Sequence, residues 1–315
     1  MNLLITGIHG FVGSNLTNAL KATHTIYGLD IIKADKKGVV HTYNWEDLAK
    51  IPHIDTVIHL AGKAHDTKNH TEKQVYFEVN TELTKKIYDW FLASGAKQFI
   101  FFSSVKAAAD RVEGNILTED IYPLPKGPYG ESKIAAENYL LSQQQNAIAL
   151  NKKTYILRPC MIHGPGNKGN LNLLYNVVNK GIPYPLGAFK NKRSFTSIDN
   201  LSFLIKQIIE KDIPSGVYQI ADDEPISTKE IIKLIGEGSG KSAKIWNLNR
   251  SFIKLLAPIG DILHLPLNRE RLQKLTENYV VSNHKIKKAL DIQQLPQTAS
   301  DGLRKTIRSF QTTHK

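Results

Sequence analysis

A tyrosine and a lysine at helical spacing are the residues of this sequence best suited to move a proton. Tyr129 and Lys133 lie four residues apart, so a helix would place both side chains on one face. A phenol with its ordinary pKa of about 10 is a poor base at neutral pH, but a close ammonium stabilises the phenolate and lowers that pKa. The pair therefore predicts a tyrosine that gives a proton to, or takes one from, a substrate oxygen.

Two serines give this spacing a structural context, which it needs because Tyr-x-x-x-Lys is common by chance. Ser103 and Ser104 directly follow the apolar residues 99–102, which predict a buried strand. Active sites in open α/β sheets lie at the carboxyl ends of such strands. We therefore expect this serine pair to meet Tyr129 and Lys133 at one edge of a sheet.

A glycine-rich turn directly after the first apolar segment predicts a dinucleotide site. In Gly-x-x-Gly-x-x-Gly, the first glycine permits a tight turn, the second lets the backbone approach a pyrophosphate, and the third allows close packing of helix on strand. The N-terminus of the helix that follows attracts negative charge. The expected cofactor contacts in this turn are Gly7, Gly10, Phe11, Val12 and Gly13.

An acidic residue at the end of the second predicted strand bears on the choice of dinucleotide. Asp30 stands where a carboxylate would bind the hydroxyls of the adenosine ribose. Its charge would repel a 2′-phosphate, so it favours NAD over NADP. Lys33 lies close enough in the sequence to leave NADP open.

The elements that must position these residues alternate between strands and helices. Short apolar segments predict buried strands at 2–5, 25–29, 56–60, 98–102 and 154–157. Apolar residues at helical spacing predict helices at 11–21, 75–91 and 129–141. This alternation indicates an α/β fold, a Rossmann-type doubly wound parallel sheet.

The sequence divides into two regions, because helices and glycine-proline turns dominate after about residue 160. We expect a dinucleotide-binding Rossmann domain over 1–163, to which 195–222 returns with strands at 203–209 and 217–220. The remaining residues, 164–194 and 223–315, predict a smaller and mainly helical substrate-binding region.

Composition and charge narrow the class of protein. The net charge of +12 attracts anions, but the basic residues are scattered and match no nucleic-acid-binding motif, so we expect no nucleic-acid partner. We see no apolar run of the roughly 18–20 residues that span a membrane, and no signal peptide. The single cysteine, Cys160, cannot form an internal disulfide, which favours a reducing cytoplasm.

Three histidines invite a metal hypothesis that their spacing does not favour. His59, His65 and His163 match no zinc pattern, and His59 lies on a predicted buried strand. We therefore expect structural histidines and no metal site.

Taken together, the glycine turn, the serine pair and Tyr129-x-x-x-Lys133 resemble the extended short-chain dehydrogenase/reductases, whose members include nucleotide-sugar epimerases, dehydratases and ketoreductases. The resemblance extends from residue 1 to about residue 310. It implies an NAD(P)-dependent enzyme that acts on a nucleotide-diphosphate sugar. It also implies that Lys133 contacts the nicotinamide ribose and that Ser104 polarises the substrate oxygen.

The same resemblance implies further cofactor contacts. Asp47-Leu48 matches an acidic residue before a leucine that contacts the adenine, and His59-Leu60-Ala61-Gly62 is similar to a His-x-Ala-Ala motif, from which Gly62 departs. The additional cofactor-binding residues are Asp47, Leu48, Leu60, Ala61, Gly62, Asn80, Ser103 and Pro159.

On the substrate side, the resemblance implies an arginine on the diphosphate. Residues 193–199 resemble a family motif in which Arg193 takes that role, although Ser194 replaces the usual aspartate. Arginine suits bidentate contact with phosphate. The expected substrate-binding residues are Ser104, Lys106, Asn170, Arg193 and Arg271.

The residues after Ser104 bear on the reaction. Dehydratases of this family carry an acidic residue there, whereas this chain has Val105-Lys106, so dehydration is disfavoured. Ser-Ser-Val-Lys is similar to reductases of UDP-linked 4-keto-6-deoxy sugars in surface polysaccharide synthesis, which makes a 4-ketoreductase the first expectation. A 4-epimerase of the UDP-glucose or UDP-N-acetylglucosamine type is the alternative. A non-catalytic dinucleotide-binding module is disfavoured because Tyr129 and Lys133 are both present.

Two expectations concern surfaces. The resemblance implies a homodimer formed through a four-helix bundle of 71–91 and 129–141. The apolar segment 251–267, interrupted by Pro258, predicts a helix that covers the substrate pocket, with peripheral contact to a membrane as the alternative.

Overall fold

The computed structural model describes residues 1–63, 72–167, 169–262 and 268–313. The first part of the chain alternates strands and helices. In chain order these are β1 Asn2–Thr6, α1 Phe11–Leu20, β2 Thr25–Leu29, β3 Thr42–Tyr43, β4 Thr56–His59, α2 Lys73–Phe77, α3 Leu83–Ala93, β5 Gln98–Phe102, α4 Val105–Ala108, α5 Pro128–Ser142, α6 Gln144–Ala149 and β6 Lys153–Pro159.

The second part is mainly helical. It contains β7 Met161–His163, α7 Asn170–Asn179, β8 Phe195–Ser197, α8 Ile198–Glu210, β9 Gly216–Ile220, α9 Thr228–Ser239, α10 Arg250–Ile262, α11 Arg269–Thr276, α12 His284–Leu290 and α13 Ala299–Thr313.

A parallel sheet of seven strands in the order β3-β2-β1-β4-β5-β6-β9 forms the centre of the molecule. The strand order reverses between β1 and β4, which are adjacent, with Thr6 opposite His59 at their carboxyl ends. Such a reversal opens a crevice at the carboxyl edge of the sheet, where ligands of doubly wound folds bind. The predicted Rossmann-type fold is confirmed.

One predicted strand is wrong. Residues 203–209 belong to helix α8, which buries Leu201, Leu204, Ile205 and Ile208 against the sheet and α1. Their spacing of three and four residues is helical, and a short apolar run cannot be assigned by its hydrophobicity alone. The strand predicted at 217–220 is confirmed as β9, which pairs with β6 at the edge of the sheet.

The long helix predicted at 75–91 contains an irregular turn. A π-helical turn at Glu78–Glu82 joins α2 to α3 and places Asn80 in the interior. Such turns are rare in proteins overall, but those that occur are often found at functional sites. The apolar residues recur there every four positions, which is compatible with a local wide turn.

A second apolar core holds the mainly helical second part of the chain together. Helices α7, α9, α10 and α13 contribute its buried side chains, among them Tyr175, Ile232, Ile253 and Ile307. Helix α10 continues through Pro258 to Ile262, and residues 263–267 of the predicted helix lie outside the described residues. Among the described helices, none combines the length and the apolar character needed to cross a bilayer.

We predict that Leu204→Ala lowers the free energy of unfolding by about 2–5 kcal/mol, because this side chain is fully buried between α8 and the sheet. The matched control Leu173→Ala, on the exposed face of α7, should change it by less than about 0.5 kcal/mol. Urea unfolding followed by circular dichroism measures both. Equal effects would contradict the packing of α8.

Candidate active site

Helix α5 positions the tyrosine and the lysine. It begins with Pro128, whose fixed φ suits the first helical position, after Gly127 in a left-handed conformation with φ of 82°. Tyr129 is half-buried and Lys133 is buried, one turn further along the same face. The structure therefore presents both side chains towards the carboxyl ends of the strands.

Ser104 joins them from the end of β5. Its hydroxyl hydrogen-bonds the Tyr129 phenol and also accepts the backbone N–H of Lys106 at 3.2 Å, which caps helix α4. Close contact between α4 and α5 makes this possible, since a Cβ on Gly130 would lie 2.5 Å from the Lys106 carbonyl oxygen. Ser104 and Tyr129 thus meet, and Lys133 reaches the Phe102 carbonyl, two residues before Ser104.

The electrostatics of the phenol differ from the expectation. Burial raises the pKa of Tyr129 above its ordinary value, and the hydrogen bond with Ser104 only partly opposes this. The Lys133 ammonium donates to the Phe102 carbonyl at 2.9 Å and lies over the Phe101 ring. In this structure burial therefore outweighs the lowering of the Tyr129 pKa that was expected from the ammonium.

The pKa of Lys133 is also shifted from its ordinary value. Burial lowers the pKa of its ammonium to about 8, against the opposing charge of Glu137. The ammonium therefore loses its proton just above neutral pH.

We predict that turnover decreases as the pH rises through about 8, because the charge of Lys133 is lost there. In Lys133→Arg the guanidinium stays charged, so this decrease should move to higher pH even if the maximal rate is lower. Initial rates between pH 6 and 10 measure both profiles. An unchanged profile in the arginine variant would exclude Lys133 as the titrating group.

A buried ion pair behind the site was not found from the sequence. Glu137, one turn after Lys133, accepts bidentate hydrogen bonds from Arg158, with Nη2–Oε2 at 2.6 Å and Nε–Oε1 at 3.0 Å. The Ser103 hydroxyl donates to the same carboxylate, and this hydrogen bond is buried in the protein interior. The available signal was an acid four residues after Lys133 and an arginine at the end of a strand.

We predict that Glu137→Gln lowers the free energy of unfolding by about 3–5 kcal/mol, because it leaves the buried Arg158 without its counter-charge. Glu131→Gln is the matched control in the first turn of the same helix, where the pair with Lys73 is exposed, and should cost less than about 1 kcal/mol. Denaturant titration compares them. A loss below 1 kcal/mol for Glu137→Gln would show that the pair does not hold α5.

The glycine turn has the close packing that a pyrophosphate site needs. Gly7 has a φ of 66°, and its carbonyl oxygen accepts the N–H of Gly10 at 3.0 Å. A Cβ on Gly13 would lie 2.5 Å from that same oxygen, so only glycine fits there. Phe11 and Val12 begin helix α1, whose first backbone N–H groups have no partner within the helix.

Asp30 is fixed by the same turn. It follows β2, and its carboxylate accepts the N–H of His9 at 3.0 Å and that of Ile32 at 3.3 Å. The basic group beside it is Lys36, which donates to Ser14 at 2.8 Å and whose pKa is lowered by burial and raised by Asp30. Lys33 was expected in this place from the sequence, whereas the structure brings Lys36 there.

A directional series of hydrogen bonds links the turn to helix α3. Thr6 accepts the N–H groups of Leu60 and Ala61, at 3.1 and 3.0 Å, and its hydroxyl lies 2.7 Å from Nδ1 of His59. Nε2 of His59 lies 2.9 Å from Thr84, whose hydroxyl donates to the Asn80 carbonyl. This order of donors requires the neutral Nε2–H tautomer of His59.

His59 is accordingly structural. Burial lowers its pKa to about 3, so it stays neutral. His163 lies in the interior, with Nδ1 2.9 Å from Thr306, and His65 lies outside the described residues. Among the described residues there is no cluster of His, Cys, Asp and Glu that could hold a metal ion.

Asn80 and Gly62 meet the catalytic lysine. The Asn80 amide donates to Ser132 on α5 at 2.9 Å and accepts the N–H of Lys63 at 2.8 Å. A Cβ on Gly62 would lie 3.2 Å from Nζ of Lys133 and 2.9 Å from Oδ1 of Asn80. The glycine that departs from the expected motif therefore gives Lys133 room.

The two expected adenine contacts, Asp47 and Leu48, follow β3 in the chain. The residue that follows β3 directly is Asn44, whereas Asp47 begins a short 3-10 helix and pairs with Lys50 at 2.8 Å. The Leu48 carbonyl accepts the Trp90 indole at 3.0 Å. Asp47 and Leu48 therefore stay predicted adenine contacts, in the segment that follows β3. Pro159, which stays a predicted cofactor contact, is the last residue of β6.

The substrate side brings two of the predicted residues around one tyrosine. Arg193 is half-buried and donates to the Lys274 carbonyl, and burial lowers its pKa against the opposing charges of Glu277 and Tyr279. Lys106 lies over the Tyr279 ring, 4.9 Å from its centroid, and donates to Asp110. Tyr279 was not predicted, and no spacing in the sequence indicated it.

Two further predicted residues can be placed only by their backbone. Asn170 begins α7 and Arg271 lies in α11. Their side chains lie outside the described part of the structure.

Comparison with known proteins is consistent with this geometry. Residues 3–221 match the model of the NAD dependent epimerase/dehydratase family. A UDP-glucose 4-epimerase from Vibrio cholerae is 31% identical, with 98% of this chain and 95% of the relative aligned. An N-acetyl-alpha-D-glucosaminyl-diphospho-ditrans,octacis-undecaprenol 4-epimerase from Escherichia coli O157:H7 is 26% identical, with 98% and 94% aligned.

Among solved structures, UDP-glucuronic acid 4-epimerase from Bacillus cereus in complex with NAD superposes with a TM-score of 0.76. It is 21% identical, and the alignment covers 100% of both chains. At this identity the likeness supports the fold.

Proposed function

Because the chain belongs to the NAD dependent epimerase/dehydratase family, we propose that it is a nucleotide-sugar 4-epimerase. It is an NAD-dependent enzyme, and the glycine turn and Asp30 fit that cofactor. The observation that carries the finer proposal is the Vibrio cholerae relative, which is a 4-epimerase and aligns along nearly the whole chain. This reverses the order of the two activities expected from the sequence.

The catalytic residues support proton transfer at a sugar hydroxyl. When bound, NAD supplies a hydride acceptor and donor at C4 of the sugar. Tyr129, hydrogen-bonded to Ser104, exchanges the proton of the O4 hydroxyl, and Ser104 polarises the same oxygen. Lys133 provides the buried positive charge that stabilises the phenolate during this exchange.

The surroundings of Ser104 support a reaction without dehydration. Elimination of water would need an acid and a base in addition to Tyr129. The residue in the position of the dehydratase acid is Lys106, which pairs with Asp110 at 3.0 Å. Glu137 is fully buried on Arg158 and unsuited to contact a sugar.

A 4-ketoreductase is the second candidate. The sequence Ser103-Ser104-Val105-Lys106 favours it, together with Ala107–Ala109 where epimerases carry Tyr-Gly. Both reactions use the same three catalytic side chains. They differ in whether the 4-keto sugar is formed in the site, rotated there and reduced on its other face.

The proposed substrate is a UDP-sugar, with Arg193 on its diphosphate. Arginine suits this role because its planar guanidinium can donate two parallel hydrogen bonds to phosphate oxygens. We also propose Lys106 as a substrate contact from the same side of the site. The candidate substrates to test are UDP-glucose, UDP-N-acetylglucosamine and, after the Escherichia coli relative, a polyprenyl-diphosphate-linked N-acetylhexosamine.

The proposal includes a homodimer in the cytoplasm. Helices α3 and α5 would form its interface. They already contact each other within one chain, where Tyr139 of α5 donates to Asp89 of α3. Sedimentation velocity of the purified protein tests this.

We predict that purified protein interconverts a UDP-sugar with its C4 epimer without net change in absorbance at 340 nm. Stoichiometric loss of NADH with a 4-keto-6-deoxy sugar would instead establish the ketoreductase. Tyr129→Phe should lower kcat by at least about a hundredfold, because the proton donor is lost, while NAD affinity changes little. The control Tyr122→Phe, on the exposed loop before α5, should have no effect. Full turnover by Tyr129→Phe would refute the mechanism.

A further inference from the structure

The outer face of the substrate-binding region carries exposed apolar side chains. On α10, Ile253 is 3% exposed and packs into the second core, whereas Phe252 and Leu255 are 53% and 73% exposed. At a spacing of three residues, these two side chains share the outward face of the helix. Exposed Phe and Leu side chains at this spacing form an apolar patch, and contact of such a patch with water is unfavourable unless a partner covers it.

A tryptophan extends this face towards the preceding segment. Residues 184–187 and 244–247 lie side by side, because Tyr184 donates to the Lys244 carbonyl at 2.8 Å and Gly187 donates to the Trp246 carbonyl at 3.0 Å. Trp246 is 54% exposed, whereas its neighbour Ile245 packs against the second core. Lys244 lies two residues before Trp246, so the alternation of an extended segment places both side chains outward.

The segments that carry these side chains are basic. No Asp or Glu occurs between residues 138 and 198, or between 238 and 260. Lys244, Arg250 and Lys254 flank the apolar side chains and are exposed. The bordering acids have partners, since Glu237 lies 3.4 Å from Arg304 and Asp261 lies 3.4 Å from Arg269.

We propose that this docking face, defined as Trp246, Phe252 and Leu255 with Lys244, Arg250 and Lys254, binds reversibly to an anionic lipid bilayer. Apolar side chains that enter the headgroup region and cations that remain at the phosphates are the combination that peripheral membrane helices use. Tryptophan prefers that interface because its ring is apolar and its N–H is polar. The charge favours a lipid surface over a second copy of this basic chain, which it would repel.

The docking face lies near the proposed diphosphate site. Helix α10 packs on α11, and the Arg193 guanidinium donates to the Lys274 carbonyl in α11. The proposed diphosphate site therefore lies in the same region that would contact the bilayer. Docking does not depend on which sugar the enzyme accepts.

Flotation of the purified full-length protein with vesicles tests the proposal. Vesicles of equal parts phosphatidylglycerol and phosphatidylethanolamine should bind it, pure phosphatidylcholine vesicles should not, and salt should weaken the binding. Phe252→Gln with Leu255→Gln should lower the bound fraction at least about tenfold. Lys244→Gln with Lys254→Gln should lower it about fivefold or more.

A matched control separates the docking face from general stickiness. Ile148→Gln with Leu150→Gln removes two exposed apolar side chains near the end of α6, in the dinucleotide-binding region, and should leave flotation unchanged. All variants should keep the melting temperature and NAD affinity of the wild type. Absence of flotation, equal binding to neutral vesicles, or undiminished binding by the α10 variant would overturn the proposal. So would an α10 variant that changes the oligomeric state, because the face would then be an interface between copies.

Discussion

The buried ion pair between Glu137 and Arg158 is the constraint on which the rest of the site depends. Two charges removed from water are tolerable only if they meet with good geometry, so the pair fixes α5 against the ends of β5 and β6. Ser103 binds the same carboxylate, which sets the backbone of Ser104 beside it. Tyr129, on the same helix as Glu137, then meets Ser104 as a consequence of where α5 is held.

A second constraint connects this helix to the cofactor side of the sheet. The series of hydrogen bonds from Thr6 through His59 and Thr84 reaches the π-helical turn, and Asn80 in that turn binds Ser132 on α5. Every donor in this series has one acceptor because His59 is neutral. The glycine turn and the catalytic helix are thus positioned by one continuous polar network within an apolar interior, which favours rigidity.

Much of this site could be predicted from the sequence, for reasons that are local. The glycine turn, Asp30 and the Tyr129–Lys133 spacing are set by backbone geometry over a few residues, and the structure places them as expected. Strand β3 was missed because a strand of only two residues has no hydrophobic period to recognise. Tyr279 was missed because its contact with Lys106 joins residues far apart in the chain, and no local pattern records such a contact.

The two halves of the molecule differ in whether their basic side chains have acidic neighbours. In the first half, exposed lysines have local acids: Lys50 pairs with Asp47 and Lys85 with Glu82, each at 2.8 Å. Such pairs cancel at short range and contribute little to stability or to the field. Residues 164–194 contain no Asp or Glu, so the electrostatic field of this segment stays positive. The shortage of acids thereby supports both an arginine that binds a diphosphate and a surface that attracts an anionic bilayer. A bilayer differs from a diphosphate because the exposed apolar side chains of α10 can insert into it.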